Sequence, residues 1–164
     1  MLRLDDLLIS YGDEKYAEVA LCIDLLRALS FLHQTHHWQS AGPDFYSDHL
    51  LFERLYNTVN TQIDKVAEKS IGLGNSGLVH YKHSLDNMPK FLFAIDDANI
   101  LSDSLSQKMV KKSLVAEKSF LAAGEKIMDI LKEKGQLTRG LEQLLGTILD
   151  EHEGLVYLLK QRMG

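Results

Sequence analysis

The chain has 164 residues, enough for one domain over residues 1–164 with a substantial core, since chains of this size bury well over half of the surface they expose when unfolded. Apolar residues make up 45% and charged residues 25%, an ordinary globular balance with no apolar run long enough to span a bilayer. The only cysteine, Cys22, excludes an internal disulfide and a cysteine-rich zinc site, so metal chemistry would have to use His, Asp and Glu. A net charge of −5 is unfavourable for gripping a phosphate backbone, and DNA binding is not expected. The start, Met1-Leu2-Arg3-Leu4-Asp5-Asp6, lacks the basic and long apolar regions of a secretory leader, so the expected location is the cytoplasm.

Residues 15–40 are apolar almost all round through Val19-Ala20-Leu21-Cys22-Ile23 and Leu25 to Leu32, which predicts a helix buried on most sides and ended by Gly42-Pro43. Asp44 is placed to cap a second helix whose apolar positions Phe52, Leu55, Tyr56, Val59, Ile63, Val66 and Ala67 follow a 3.6-residue period. The glycine-rich run from Gly72 to Gly77 ends it. Leu78 to Phe93 predicts a short helix broken near Pro89, and Asp96 to Ser104 reads as a connection carrying N-capping residues. A third long helix from about Ser104 to Lys134 presents Met109, Ala116, Phe120, Ala123, Ile127 and Leu131, with Gly135 as its stop. The fourth opens at Thr138 and carries Leu141, Leu145, Ile148, Leu155 and Leu159 nearly to the C-terminus. The expected fold is all-α: four long amphipathic helices with a short extra helix between the second and third.

Four of the seven histidines fall between positions 33 and 49. On the second helix His49 and Glu53 stand four residues apart, as do Asp64 and Glu68, so each pair shares a helix face. All four project from nearly the same side, yet the pairs lie roughly 16 Å apart along the axis, too far for one ion to touch both on one helix. A two-fold axis solves this. If two copies pack antiparallel, the His49/Glu53 half of one faces the Asp64/Glu68 half of the other, in the isologous contact commonest among homo-oligomers. With His37 from the preceding helix, each site would offer two imidazoles and one carboxylate from one chain and two carboxylates from its partner. Such mixed nitrogen and oxygen ligation suits Fe(II), with Zn and Mn as competitors.

The run His37-Trp38-Gln39-Ser40-Ala41-Gly42-Pro43-Asp44-Phe45, then His49 and Phe52-Glu53, then Asp64-Lys65-Val66-Ala67-Glu68-Lys69 with Leu73-Gly74, resembles the signature of the Dps family of mini-ferritins. It departs from the family pattern at Glu53, where Asp is usual, at Lys69, where Arg is usual, and at Gln39, where Asn is common. The match covers about residues 28–74. The resemblance implies a ferritin-like four-helix bundle and a ferroxidase centre shared between subunits, with His37, His49 and Glu53 from one chain and Asp64 and Glu68 from the other. It also implies a hollow dodecamer storing ferric mineral, oxidation of Fe(II) by hydrogen peroxide, and Trp38 as the aromatic neighbour of the centre. Near the positions where members carry an acidic iron-entry pore, Thr138-Arg139-Gly140 has no acid.

Plainer readings stand beside these. A lone acid pair at i,i+4 is usually a solvated face. His33 and His36 read as satisfied structural or surface residues, His80 and His83 as surface residues, His152 as a hydrogen-bonded core or interface residue, Trp38 as simple core, and Cys22 as a small buried hydrophobe. An intrasubunit di-iron centre would need Glu-x-x-His on the helices, and no histidine here has Glu three residues before it. The alternative function is a Dps-like helical oligomer with a degenerate or zinc-binding site, serving a structural or DNA-associated role.

Overall fold

The computed structural model describes residues 2–96 and 104–164, and every regular element among them is helical. A short helix, α1 (Leu4–Leu8), runs into a 3-10 turn at Ile9–Tyr11; α2 (Ala17–Gln39), α3 (Phe45–Leu73), α5 (Leu105–Glu133) and α6 (Arg139–Met163) are the long helices. Between the second and third of these lie a 3-10 turn (Ser76–Val79) and α4 (Tyr81–Asp96). The architecture is a ferritin-like bundle of four long helices.

The central helix is the one with apolar residues all round. Val19, Ala20, Leu21, Leu25, Leu26, Ala28 and Leu29 of α2 have no exposed surface, because α2 packs against α3, α4 and α5 at once. The other long helices bury one stripe each, with Val59 and Val66 on α3, Ala116 and Ile127 on α5, and Leu141 on α6 closing the main core. A fully buried aliphatic side chain of this size stabilises by about 1.5–3 kcal/mol. At Gly124 α5 packs tightly against α6, since a methyl group there would run into the Leu149 side chain. A second, smaller cluster of Phe52, Leu55, Met109, Val110, Leu155 and Leu159 fills one end of the bundle and supports the first half of α3 from behind.

The turn between α2 and α3 depends on Gly42, whose φ of +83° lies in the left-handed region that an L side chain rarely adopts. Pro43 then cannot continue a helix. Asp44 occupies the N-cap position of α3 as expected, but its side chain caps nothing; it turns instead to Arg162, 3.2 Å away. Ser104 and Gln107 do form a reciprocal capping box on α5, and Thr138 accepts from the Leu141 amide at the start of α6. The interior of the expected Asp96–Ser104 connection lies outside the described residues.

Two expectations change. Helix α4 is not broken at Pro89 but runs through it, because Leu85, whose carbonyl loses its partner, and Pro89 both lie on the exposed side of the helix. The N-terminal stretch forms α1, anchored by a buried carboxylate. Asp24 of α2, 2% exposed, accepts from Tyr11 Oη (2.5 Å), Ser84 Oγ (2.6 Å) and Asn87 Nδ2 (2.9 Å), tying α2 to α4 and to the turn after α1. Burial holds its pKa above the ordinary range despite those donors. His83, expected at the surface, is buried in the same region, stacked on Tyr11 at 3.9 Å and hydrogen-bonded to Ser10 and the Gly77 carbonyl. His80 is exposed.

Candidate metal centre

The two imidazoles singled out in the sequence meet across the α2–α3 turn. His37 and His49 stack with ring centroids 3.7 Å apart. Each ring bonds the other's backbone: His37 Nδ1 lies 2.8 Å from the His49 carbonyl, and His49 Nδ1 lies 3.1 Å from the His37 carbonyl. A carbonyl oxygen only accepts, so both Nδ1 atoms must carry the hydrogen and donate. The neutral tautomer fixed in this way leaves both Nε2 lone pairs available, the outer-sphere arrangement that prepares histidine for a metal. Tyr56 meets His37 edge-on at 5.3 Å, and Phe45 lies 4.9 Å from His49.

Glu53 stands one helical turn beyond His49 and is half-buried, whereas Asp64 and Glu68 are exposed. None of these three carboxylates has a hydrogen bond or ion pair within the described residues. The chain brings His37 and His49 together, with Glu53 one turn further along α3, and leaves Asp64 and Glu68 about three turns beyond Glu53. Among the described residues no three His, Cys, Asp or Glu side chains converge as a metal site.

Helices α2 and α3 also carry large exposed apolar side chains. Trp38 is 68% exposed and Tyr46 74%, with Phe31, Phe45, Leu50 and Ile71 also exposed. Trp38 is thus not a core residue, and large apolar side chains crowded at a rim of polar ones mark surfaces that meet other protein.

A second polar cluster, which the sequence reading did not assemble, lies inside the bundle. His33 of α2, Gln62 of α3, Glu117 of α5 and His152 of α6 are all at most 2% exposed. Glu117 is the hub. One carboxylate oxygen lies 2.7 Å from His33 Nε2 and the other bonds His152 Nδ1. His152 Nε2 continues to Gln62 Oε1 at 2.8 Å, and Gln62 Nε2 donates to Glu151 at 2.6 Å. On the other side Ser113 Oγ bridges the Nδ1 atoms of His33 (3.0 Å) and His36 (2.8 Å). Burial alone would raise the Glu117 pKa, but the hydrogen bonds from His152 and His33 outweigh it and hold the carboxyl at about 2. Burial pushes His36 the other way from its ordinary value, to about 3, keeping it neutral. The readings of His33, His36 and His152 as hydrogen-bonded structural residues hold, and Cys22 is buried with its thiol pushed up to about 12. The available signal was Ser113 and Glu117 interrupting the apolar stripe of α5.

The ferritin-like domain model matches residues 23–163. The chain belongs to the ferritin-like family, within its Dps group. It is 28% identical over 152 residues to the nutrient stress-induced DNA-binding protein of Synechococcus sp., covering 89% of this chain and 82% of that protein. A shorter stretch of 51 residues is 39% identical to general stress protein 20U of Bacillus subtilis, covering 31% of this chain and 35% of that one. Among solved structures, Dps from Thermosynechococcus elongatus superposes with a TM-score of 0.70 at 19% identity over 90% of this chain and 88% of the other. DpsC from Streptomyces coelicolor gives 0.74 at 20% identity over 91% and 84%. No helix among the described residues is long and apolar enough to cross a membrane.

Proposed function

We propose that two copies of this chain pair antiparallel through α3 to make two equivalent centres that bind and oxidise Fe(II). In each centre His37, His49 and Glu53 of one chain face Asp64 and Glu68 of the other. The observation that carries this reading is the symmetry of the α3 stripe. The pairs His49/Glu68, Glu53/Asp64 and Tyr46/Ile71 are all centred on the peptide between Thr58 and Val59. A two-fold axis through that point sets each of the four candidate ligands on α3 opposite a complementary one and sets exposed Tyr46 against exposed Ile71. The Nε2 atoms and carboxylates, without partners among the described residues, then acquire them from the second copy.

The donor set fits iron as substrate. Carboxylates stabilise Fe(III) more than Fe(II), so an acid-rich site favours oxidation, while the two imidazoles retain the ferrous ion beforehand. Two Fe(II) ions together supply two electrons to hydrogen peroxide, which takes up two protons and leaves as two water molecules, with no one-electron product released. Zn(II) and Mn(II) would compete for the same donors. Trp38, exposed beside the centre, is placed to intercept stray oxidising equivalents. Assembly of the pairs into a dodecameric shell that stores ferric mineral in the cytoplasm, protecting the cell from peroxide and iron together, completes the reading.

The name of the Synechococcus relative, and that of the DNA protection during starvation protein 2 of Bacillus anthracis, favour a second role on DNA. Against it, residues 1–15 hold Asp5, Asp6, Asp13 and Glu14 against Arg3 and Lys15, and the whole chain is acidic. The ferroxidase reading is tested by anaerobic Fe(II) loading followed by peroxide, with ferric absorbance recorded. The parent should oxidise iron rapidly; a rate no faster than iron in buffer would overturn the assignment.

A further inference from the structure

Three helix ends meet at one buried carboxylate. Asp48, in the first turn of α3, is 1% exposed. Arg162, in the last turn of α6, sets its guanidinium fork on it, with Nε 2.5 Å from Oδ1 and Nη2 3.1 Å from Oδ2. The same Nη2 donates to Ser106 Oγ at 2.8 Å, and that hydroxyl donates to Asp48 Oδ2 at 2.6 Å from the first turn of α5. The same Nη2 also lies 3.2 Å from Asp44 Oδ2. An acid at one helix N-terminus and a cation at another helix C-terminus each suit the local backbone dipole. The two-point fork holds orientation as well as charge.

We infer that the Arg162–Asp48–Ser106 clamp is the positioning device for His49, so that the C-terminal turn of α6 sets the metal affinity of the centre. Asp48 is the residue immediately before His49. The N-terminus of α3 follows a Gly-Pro break, and its N-cap side chain makes no capping bond to fix it. Two polar attachments bear on where the His49 Nε2 points: the exchange of hydrogen bonds with His37 on one side and the Arg162 fork on the neighbouring Asp48 on the other. Losing the fork would leave a carboxylate buried without its cation, and the first turn of α3 would relieve this by moving Asp48 toward water, carrying His49 out of register with His37. Arg162 itself touches neither metal nor substrate.

The inference rests on the proposed metal centre, and the test separates the two. Anaerobic titration with Co(II), which is not oxidised under these conditions, reads binding through its visible absorption without any turnover. The parent should bind Co(II); if it does not, both the centre and the clamp are overturned. Arg162→Ala should bind about 10–100-fold more weakly, as expected for loss of a group that orients a ligand. Addition of methylguanidine to that variant should restore the parent spectrum, a recovery that a merely structural defect would not show. Arg162→Lys, which keeps the charge but not the fork, should fall between the two and decides the matter if the alanine variant does not fold. Parent-like Co(II) affinity in a folded Arg162 variant would overturn the clamp and leave the centre standing.

Discussion

Two regions of this molecule use the same chemical groups to opposite ends. Inside the bundle, His33, Glu117 and His152 satisfy one another, and Gln62 and Ser113 take up the remaining ring nitrogens. At the outer face, His37 of α2 and His49 of α3 spend only their Nδ1 atoms, while Glu53, Asp64 and Glu68 have no hydrogen-bond or ion-pair partner among the described residues. A saturated polar cluster fixes how four helices sit against each other. An unsaturated one keeps donor atoms free to bind something else. Residue type alone does not separate the two; the hydrogen-bond inventory does.

The contrast is sharpest in stability. Glu117→Ala should lower it by about 3–5 kcal/mol, because it leaves two buried imidazoles facing a cavity, and chemical denaturation will read the loss. By the same logic His37→Ala with Glu53→Ala should cost far less stability yet slow peroxide-driven iron oxidation by more than about 100-fold, given that even outer-sphere partners of a metal contribute about 10–100-fold. A double variant that oxidises iron at the parent rate would sink the assignment of the outer face.

Acid should weaken the interior region. Glu117 has a folded pKa of about 2 against an ordinary 4.5, so its contribution is fully present above the unfolded value and is lost as pH falls from there toward 2. That contribution is on the order of 3 kcal/mol. Glu117→Gln should therefore flatten the stability curve between those limits, as denaturation at a series of pH values will read. The smallest effect concerns DNA: at about 150 mM salt and sub-micromolar protein no retardation of plasmid is expected in a mobility shift, and clear retardation would show that the acidic surface has been misjudged.

The long helices were legible because 3.6-residue periodicity extends over many turns and Gly-Pro, Gly72–Gly77 and Gly135 interrupt it clearly. Helix α1, with five residues, is too short to display a period; it buries Leu7, and the turn after it is tied down where Tyr11 reaches Asp24, thirteen residues away. Pro89 misled because whether a proline breaks a helix depends on which side its missing hydrogen bond faces. The ligand pairs on α3 could be read from spacing on one helix. The interior cluster could not, since it joins α2, α3, α5 and α6, and its members look in sequence like faults in apolar stripes. Arg162 was invisible for the same reason: near the chain end it resembles a solvated cation, and only the fold brings it to Asp48.

The central claim is that a centre is completed by a second copy, and subunit mixing tests it most directly. One variant carries His37→Ala and Glu53→Ala, the other Asp64→Ala and Glu68→Ala, and each alone should be inactive in iron oxidation. After co-refolding in equal amounts, half of the dimers are mixed and each mixed dimer regains one of its two centres, so about one quarter of the parent activity should return. No recovery from a mixture shown to contain mixed dimers would contradict the shared centre.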